Sequence, residues 1–387
     1  MKKVIILLVF VLNCNIFSQE SNTAFLPQGL SLPLLNGFGN SAIQNDVCNI
    51  SSINPAALGN FEKIEFGFSY QYEPEIEESW IAEIGSKRIN NWVPQSVGFV
   101  FPYNDLRFGI SMNQRYNRSL LFGPIEITTI ENPNEIPSKY IEPKYETFIY
   151  NYSFSTSYKF ENLLPNSEFS VGFRVGLNNL SEIVDMYNAN YNASIYGNDF
   201  SFGMLYFTNL TNHRNLSLGL YYQSPLEIKG RTKLNSTPII NDDLNYYRTV
   251  EDVYVAAQFP YSVRFDLNYT QIEQFSFLFS ISKSFWSKLD KYIRDQVEFS
   301  SSVSYLINKS FSLSVGFANS ENEYVTNFMD INRQLEVTYF TAGGVFTVDD
   351  LSVNLSYADS HLSAGDFRKT RIGKIGLSYS FENSNFE

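Results

Sequence analysis

Few side chains in this sequence have the type and spacing that covalent chemistry needs. Its two histidines, His213 and His361, have no neighbouring pattern that marks a nucleophile and its base. Cys14 lies in the polar exit that follows the apolar N-terminal run, and Cys48 is the one cysteine beyond it, so no internal disulfide can form there; a small buried residue is its expected role. Cysteine and histidine at metal-binding spacing are absent from the sequence. Glu73, Glu75, Glu77 and Glu78, and Asp242 with Asp243, have the charge to take calcium, but a solvated acidic loop is the preferred account. We therefore expect no enzyme, no cofactor and no metal.

Another kind of chemistry is open to Arg107, Arg174 and Arg264. Each stands on the polar side of a segment in which apolar and small polar residues alternate. A guanidinium can pair bidentately with a carboxylate, so these three are candidate contacts for an anionic ligand group. Asp266 shares the polar side with Arg264 and offers to neutralise it.

The segments that must position them are strands. Leu106, Phe108, Ile110 and Met112 alternate with Arg107, Gly109, Ser111 and Asn113. Phe169, Val171, Phe173, Val175 and Leu177 oppose Ser170, Gly172, Arg174, Gly176 and Asn178, and Val263, Phe265, Leu267 and Tyr269 oppose Ser262, Arg264, Asp266 and Asn268. Period two is the mark of a strand with two unlike faces. About fourteen such segments run from 61 to 381. Their connections alternate between long, including 179–198 and 230–257, and short, including Tyr103-Asn104, Gln271-Ile272 and Asp349.

Composition says what the apolar faces meet. Aromatic residues make up 16% of the chain, with 26 Tyr and 34 Phe. No segment beyond the N-terminus approaches the roughly 18 consecutive apolar residues of a membrane helix. A barrel in an outer membrane explains both facts, with apolar side chains toward lipid and a polar lumen. A large soluble β-sandwich would instead bury the aromatic face and wet the polar one. Strand number and the long and short rhythm favour the barrel, and an even count puts both termini on the periplasmic side.

Residues 1–18 read as a secretory signal, with Lys2 and Lys3 before the apolar run Val4 to Leu12 and an exit near Ser18-Gln19. Their loss removes two lysines and no acids, moving the formal charge from -12 to -14. Such acidity argues against nucleic acid as a partner.

Residues 19–60 lack strand pattern and form a plug, or hatch, ahead of a barrel at 61–381 and a periplasmic tail at 382–387. Asn54-Pro55-Ala56 is the joint: proline fixes its own φ and turns the residue before it away from helix.

Gly37-Phe38-Gly39-Asn40 followed by Asn54-Pro55-Ala56-Ala57-Leu58 resembles the N-terminal hatch of the FadL/TodX family of outer-membrane transporters of hydrophobic compounds. Tyr222-Gln223-Ser224-Pro225, Pro260-Tyr261-Ser262-Val263 and Phe285-Trp286-Ser287 resemble, in order, further strand-end patterns of that family. The resemblance implies a fourteen-stranded barrel, acting as a monomer, that passes a hydrophobic ligand such as a long-chain fatty acid from the outer loops into a lumen pocket. Rearrangement of the plug then releases the ligand, sideways through the wall. Two departures stand out: the last aromatic of the final strand, Phe381, is followed by six more residues, and the acidic outer loops match no family pattern. The alternative function, for a barrel of the same build, is a shuttle or docking part of a surface-protein secretion apparatus.

Overall fold

A computed structural model describes residues 36–37, 39, 41–73, 91–121, 125–127, 139–141, 144–161, 165–186, 189–211, 214–236, 249–272, 274–289, 294–320, 337–362 and 371–381. The signal, the tail, His213, Glu75, Glu77, Glu78, Asp242 and Asp243 lie outside the described residues.

Two 3-10 turns, η1 (Val47–Asn49) and η2 (Pro55–Asn60), precede the strands. Then come β1 (Ile64–Glu73), β2 (Asn91–Tyr103), β3 (Leu106–Leu121), β4 (Ile125–Ile127), β5 (Lys139–Ile141), β6 (Lys144–Glu161), β7 (Ser167–Met186), β8 (Ala189–Thr211) and β9 (Arg214–Gln223). They continue with β10 (Leu226–Ser236), β11 (Thr249–Phe259), β12 (Ser262–Gln271), β13 (Phe275–Ser284), the turn η3 (Trp286–Lys288), β14 (Gln296–Asn308), β15 (Phe311–Ser320), β16 (Val337–Val348), β17 (Leu351–Asp359) and β18 (Arg371–Phe381).

Every pairing in the main sheet is antiparallel, and β1 pairs with β18 from Ile64 opposite Phe381 onward, which closes the sheet on itself. Closure removes the edges that would otherwise present unpaired backbone groups. The circumference holds fourteen strands. β4 and β5 form a separate two-stranded sheet, while β9 leads into β10 across Ser224-Pro225 and β11 into β12 across Pro260-Tyr261. The fourteen-strand expectation from alternation holds.

At one end the connections are tight. Asn104, Asn166, Ile272 and Asp349 take positive φ there, the left-handed geometry that short hairpins need. The other end differs from the sequence reading, because parts of the expected long connections 179–198 and 230–257 are strand, the latter in β10 and β11. β7 runs to Met186 and β8 starts at Ala189, paired throughout. Leu180-Ser181-Glu182-Ile183-Val184-Asp185 carries no clean alternation, since this stretch meets other protein on its inner side rather than water.

Outward faces are apolar and exposed, as at Phe66, Ile110, Phe154, Phe173, Val175, Phe200 and Val315. In a soluble sandwich these would be the buried set, so the exposure decides for lipid on the outside. Inward faces carry Gly, Ser, Asn and a few charges. The core of the molecule is the N-terminal segment itself: Ile43, Val47, Cys48, Ile50, Ile53, Ala56, Ala57, Leu58 and Phe61 form one buried cluster with Val100 and Leu205 of the wall.

Candidate functional site: the plugged lumen

The plug is shaped locally before it is held by the wall. Asp46 caps η1, accepting from Cys48 N at 3.0 Å and from Asn49 Nδ2 at 2.6 Å. Asn54 caps η2, its Oδ1 accepting from Ala56 N at 2.9 Å, with Pro55 in the first helical position where a missing N–H costs nothing. Asn54 then does a second task. Its Nδ2 donates to Met204 O on β8 and to Leu220 O on β9, both at 3.1 Å, and its backbone N to Ala42 O. One fully buried amide therefore joins the turn, the plug and two strands.

Glycines on the inner faces make room for that approach. A Cβ at Gly98 would stand 1.9 Å from Val47 O, at Gly172 2.3 Å from Pro55 C, and at Gly203 1.7 Å from Asn54 Oδ1. No side chain larger than hydrogen fits. The small-polar face read from alternation is thus small because the plug backbone lies against it.

Each candidate arginine is on the lumen side, and each is engaged. Arg107 Nε donates to Phe61 O at 2.6 Å, tying the end of the plug to β3, and Nη1 donates to Asn104 O and Leu106 O. Arg174 donates to Ile50 O at 3.3 Å and Ile53 O at 2.9 Å, and also to the hydroxyl of Tyr221. Arg264 stands 3.8 Å from Glu298 Oε2 on β14. Asp266, expected as its neutralising partner, also latches the plug, accepting from Ala42 N at 3.1 Å and Ser41 Oγ at 3.3 Å. Asn113 Nδ2 donates to Ser52 Oγ at 2.6 Å. The three arginines are not brought together at one point.

Arg115 was not singled out from sequence, although the alternation that places Arg107 inward also reaches it. A bulge between Gln114 and Tyr116 sets it off the ladder. Its guanidinium pairs with Asp199 at 2.7 Å, donates to Asn178 Oδ1 at 3.3 Å and lies 5.1 Å from the ring centre of Phe259. Asn178 and Gln223 also donate to Asp199. This buried polar layer involves β3, β7, β8, β9 and the base of β11, and only the fold assembles it.

Beside the plug toward the tight-turn end is a cavity of about 740 Å³, lined by Asn45, Asp46, Asn60, Glu62, Glu65 and Lys159 among others. Its lining suits water better than an apolar molecule. Cys48 is buried with its Sγ near Phe68 O and Leu377 O, and burial pushes its thiol well above the ordinary range, which leaves it unreactive. His361 is on the opposite rim, 2.8 Å from Asp359. Among the described residues no three His, Cys, Asp or Glu side chains gather as a metal site.

No protein-family model matches the sequence, and no curated protein does. Solved structures do match. The toluene transporter TbuX of Ralstonia pickettii superposes with a TM-score of 0.62 at 12% identity, covering 92% of this chain and 100% of that one. The Pseudomonas putida toluene transporter TodX gives 0.63 at 14% identity, with 92% and 100% covered. A FadL homologue of Pseudomonas aeruginosa gives 0.55 at 14% identity, with 92% and 99% covered. The chain shares the barrel fold of these outer-membrane proteins, the fold its hatch and strand-end motifs led us to expect.

Proposed function

We propose that this chain is a channel of the bacterial outer membrane for hydrophobic or amphipathic small molecules, long-chain fatty acids being one candidate class. The observation that carries the reading is the plug. Fourteen strands enclose more space than wall side chains fill, and here an N-terminal segment fills it. A general pore would gain nothing from such a segment. The likeness to toluene transporters and to a FadL homologue supports the same reading. In this reading residues 1–18 are removed on export, both termini are periplasmic, and one chain is the working unit among the membrane lipids.

The test is to purify the protein in mild detergent, extract it with organic solvent and identify bound molecules by mass spectrometry. A stoichiometric apolar or amphipathic compound is expected. Absence of any such compound, together with no binding of added oleate or toluene, would overturn the channel and leave the barrel standing.

A further inference from the structure

The β10–β11 hairpin does not continue the wall. β8 pairs with β9 from Ser201 to Thr211, but with β10 only at Asn190 and Ala189, near the far end of the hairpin. Between those points β10 crosses the lumen face of β8. A Cβ at Gly197, on the same inward face as Asp199, would meet Glu227 O at 2.5 Å and Ile228 Cγ1 at 2.8 Å, and one at Gly230 would meet Ile195 at 3.0 Å.

The side chains agree. Leu226, Ile228, Val255 and Ala257 of the hairpin are buried in one cluster with Ile149, Leu180 and Ala193, which are inward residues of β6, β7 and β8. Hairpin and wall thus hide each other's apolar surface inside the lumen. Both creases of the hairpin carry a proline, Pro225 and Pro260, which cannot donate to a ladder. Thr232 Oγ1 donates to Asn192 O at 3.0 Å, holding the hairpin against β8.

We propose that the apolar inner wall at Ile149, Leu180 and Ala193 is a ligand seat that the hairpin occupies when no ligand is present, swinging on its two proline creases to give it up. The polar groups around the seat fix the class of ligand. Glu182 accepts from the Tyr191 hydroxyl, and Asp199 is paired with Arg115 at 2.7 Å. A carboxylate would meet two acids, while Arg115 is already paired with Asp199 and Arg174 is already bonded to the plug and to Tyr221, so the seat favours an uncharged apolar molecule, at most one that donates a hydrogen bond. This rests on the channel reading and narrows its ligand.

The test replaces Ile195 and Gly230 with cysteine, positions whose side chains would lie within disulfide reach. Binding of radiolabelled 1-dodecanol and dodecanoate at pH 7.5 is then compared in oxidised and reduced protein held in amphipol, with folding checked by the heat-dependent shift in gel mobility. Oxidation is expected to weaken 1-dodecanol binding at least about tenfold, with recovery on reduction, and native protein to prefer 1-dodecanol over dodecanoate by about tenfold. Equal binding in the oxidised and reduced forms would overturn the seat, and equal binding of the two probes would overturn its preference for uncharged ligands. Binding of neither probe to native protein would overturn the channel reading together with this one. Should the cysteine pair fail to fold, Ile228→Ala thins the hairpin's apolar face and is expected to tighten 1-dodecanol binding about fivefold; unchanged or weaker binding would count against the seat.

Discussion

Asn54 shows how much a single side chain carries. Its amide caps η2 and donates to two strand carbonyls from a fully buried position. Replacing it by alanine orphans Met204 O and Leu220 O on that side and removes the cap. A cost of about 2–3 kcal/mol is expected, falling on plug seating more than on the barrel. Limited proteolysis checks it: Asn54→Ala should be cut within the plug while the barrel keeps its heat-dependent gel mobility. Ile272 makes the opposite case. It holds a φ of 61° in a tight turn, a region that penalises a β-branched residue. Ile272→Gly should therefore stabilise the barrel by about 1 kcal/mol, read as a higher urea midpoint. No change in that midpoint would mean that the turn relaxes without strain.

Among elements, the plug has its own response to pH. Burial, the largest influence on Asp46, raises its pKa above the ordinary carboxylate value, while bonds from Asn49 and Cys48 and the charge of Lys374 pull it back. A carboxyl with a raised folded value contributes its stability below the unfolded value and loses it as pH climbs through the raised one. The plug should accordingly seat more firmly in mild acid than at neutral pH. Single-channel recordings at pH 5 and pH 8 should show fewer openings at the lower value, and Asp46→Asn should flatten the difference. A difference that survives in the variant would assign the effect to another group, such as Glu65 of β1.

At the scale of the whole molecule, wall and plug are separable by construction. The wall closes through backbone pairing, β1 to β18, in which the plug takes no part. Removing residues 36–60 should leave a folded barrel with an open aqueous lumen, seen as a large steady conductance in planar bilayers where the full chain shows little. A deletion protein that never reaches the folded form would show that the plug templates the wall.

The strands, their count and the sidedness of Arg107, Arg174 and Arg264 were legible in the sequence, because lipid outside and close packing inside impose a strict period of two. Asn54-Pro55-Ala56 was legible as a joint, since proline geometry is local. What those residues touch was not. Asn54 meets strands some 150 and 166 positions away, Arg174 meets the plug 121 and 124 positions before it, and Asp199 pairs with Arg115 across 84. The inward turn of the hairpin was likewise hidden: 230–257 reads as a long connection, and only contacts with β6, β7 and β8 make strands of its two ends. Alternation by itself determined two-faced strands, since each residue's side of a strand depends only on its neighbours, and their number and loop rhythm added the barrel. The tertiary structure alone decided what fills that barrel, because contacts across a lumen join residues that share no local pattern.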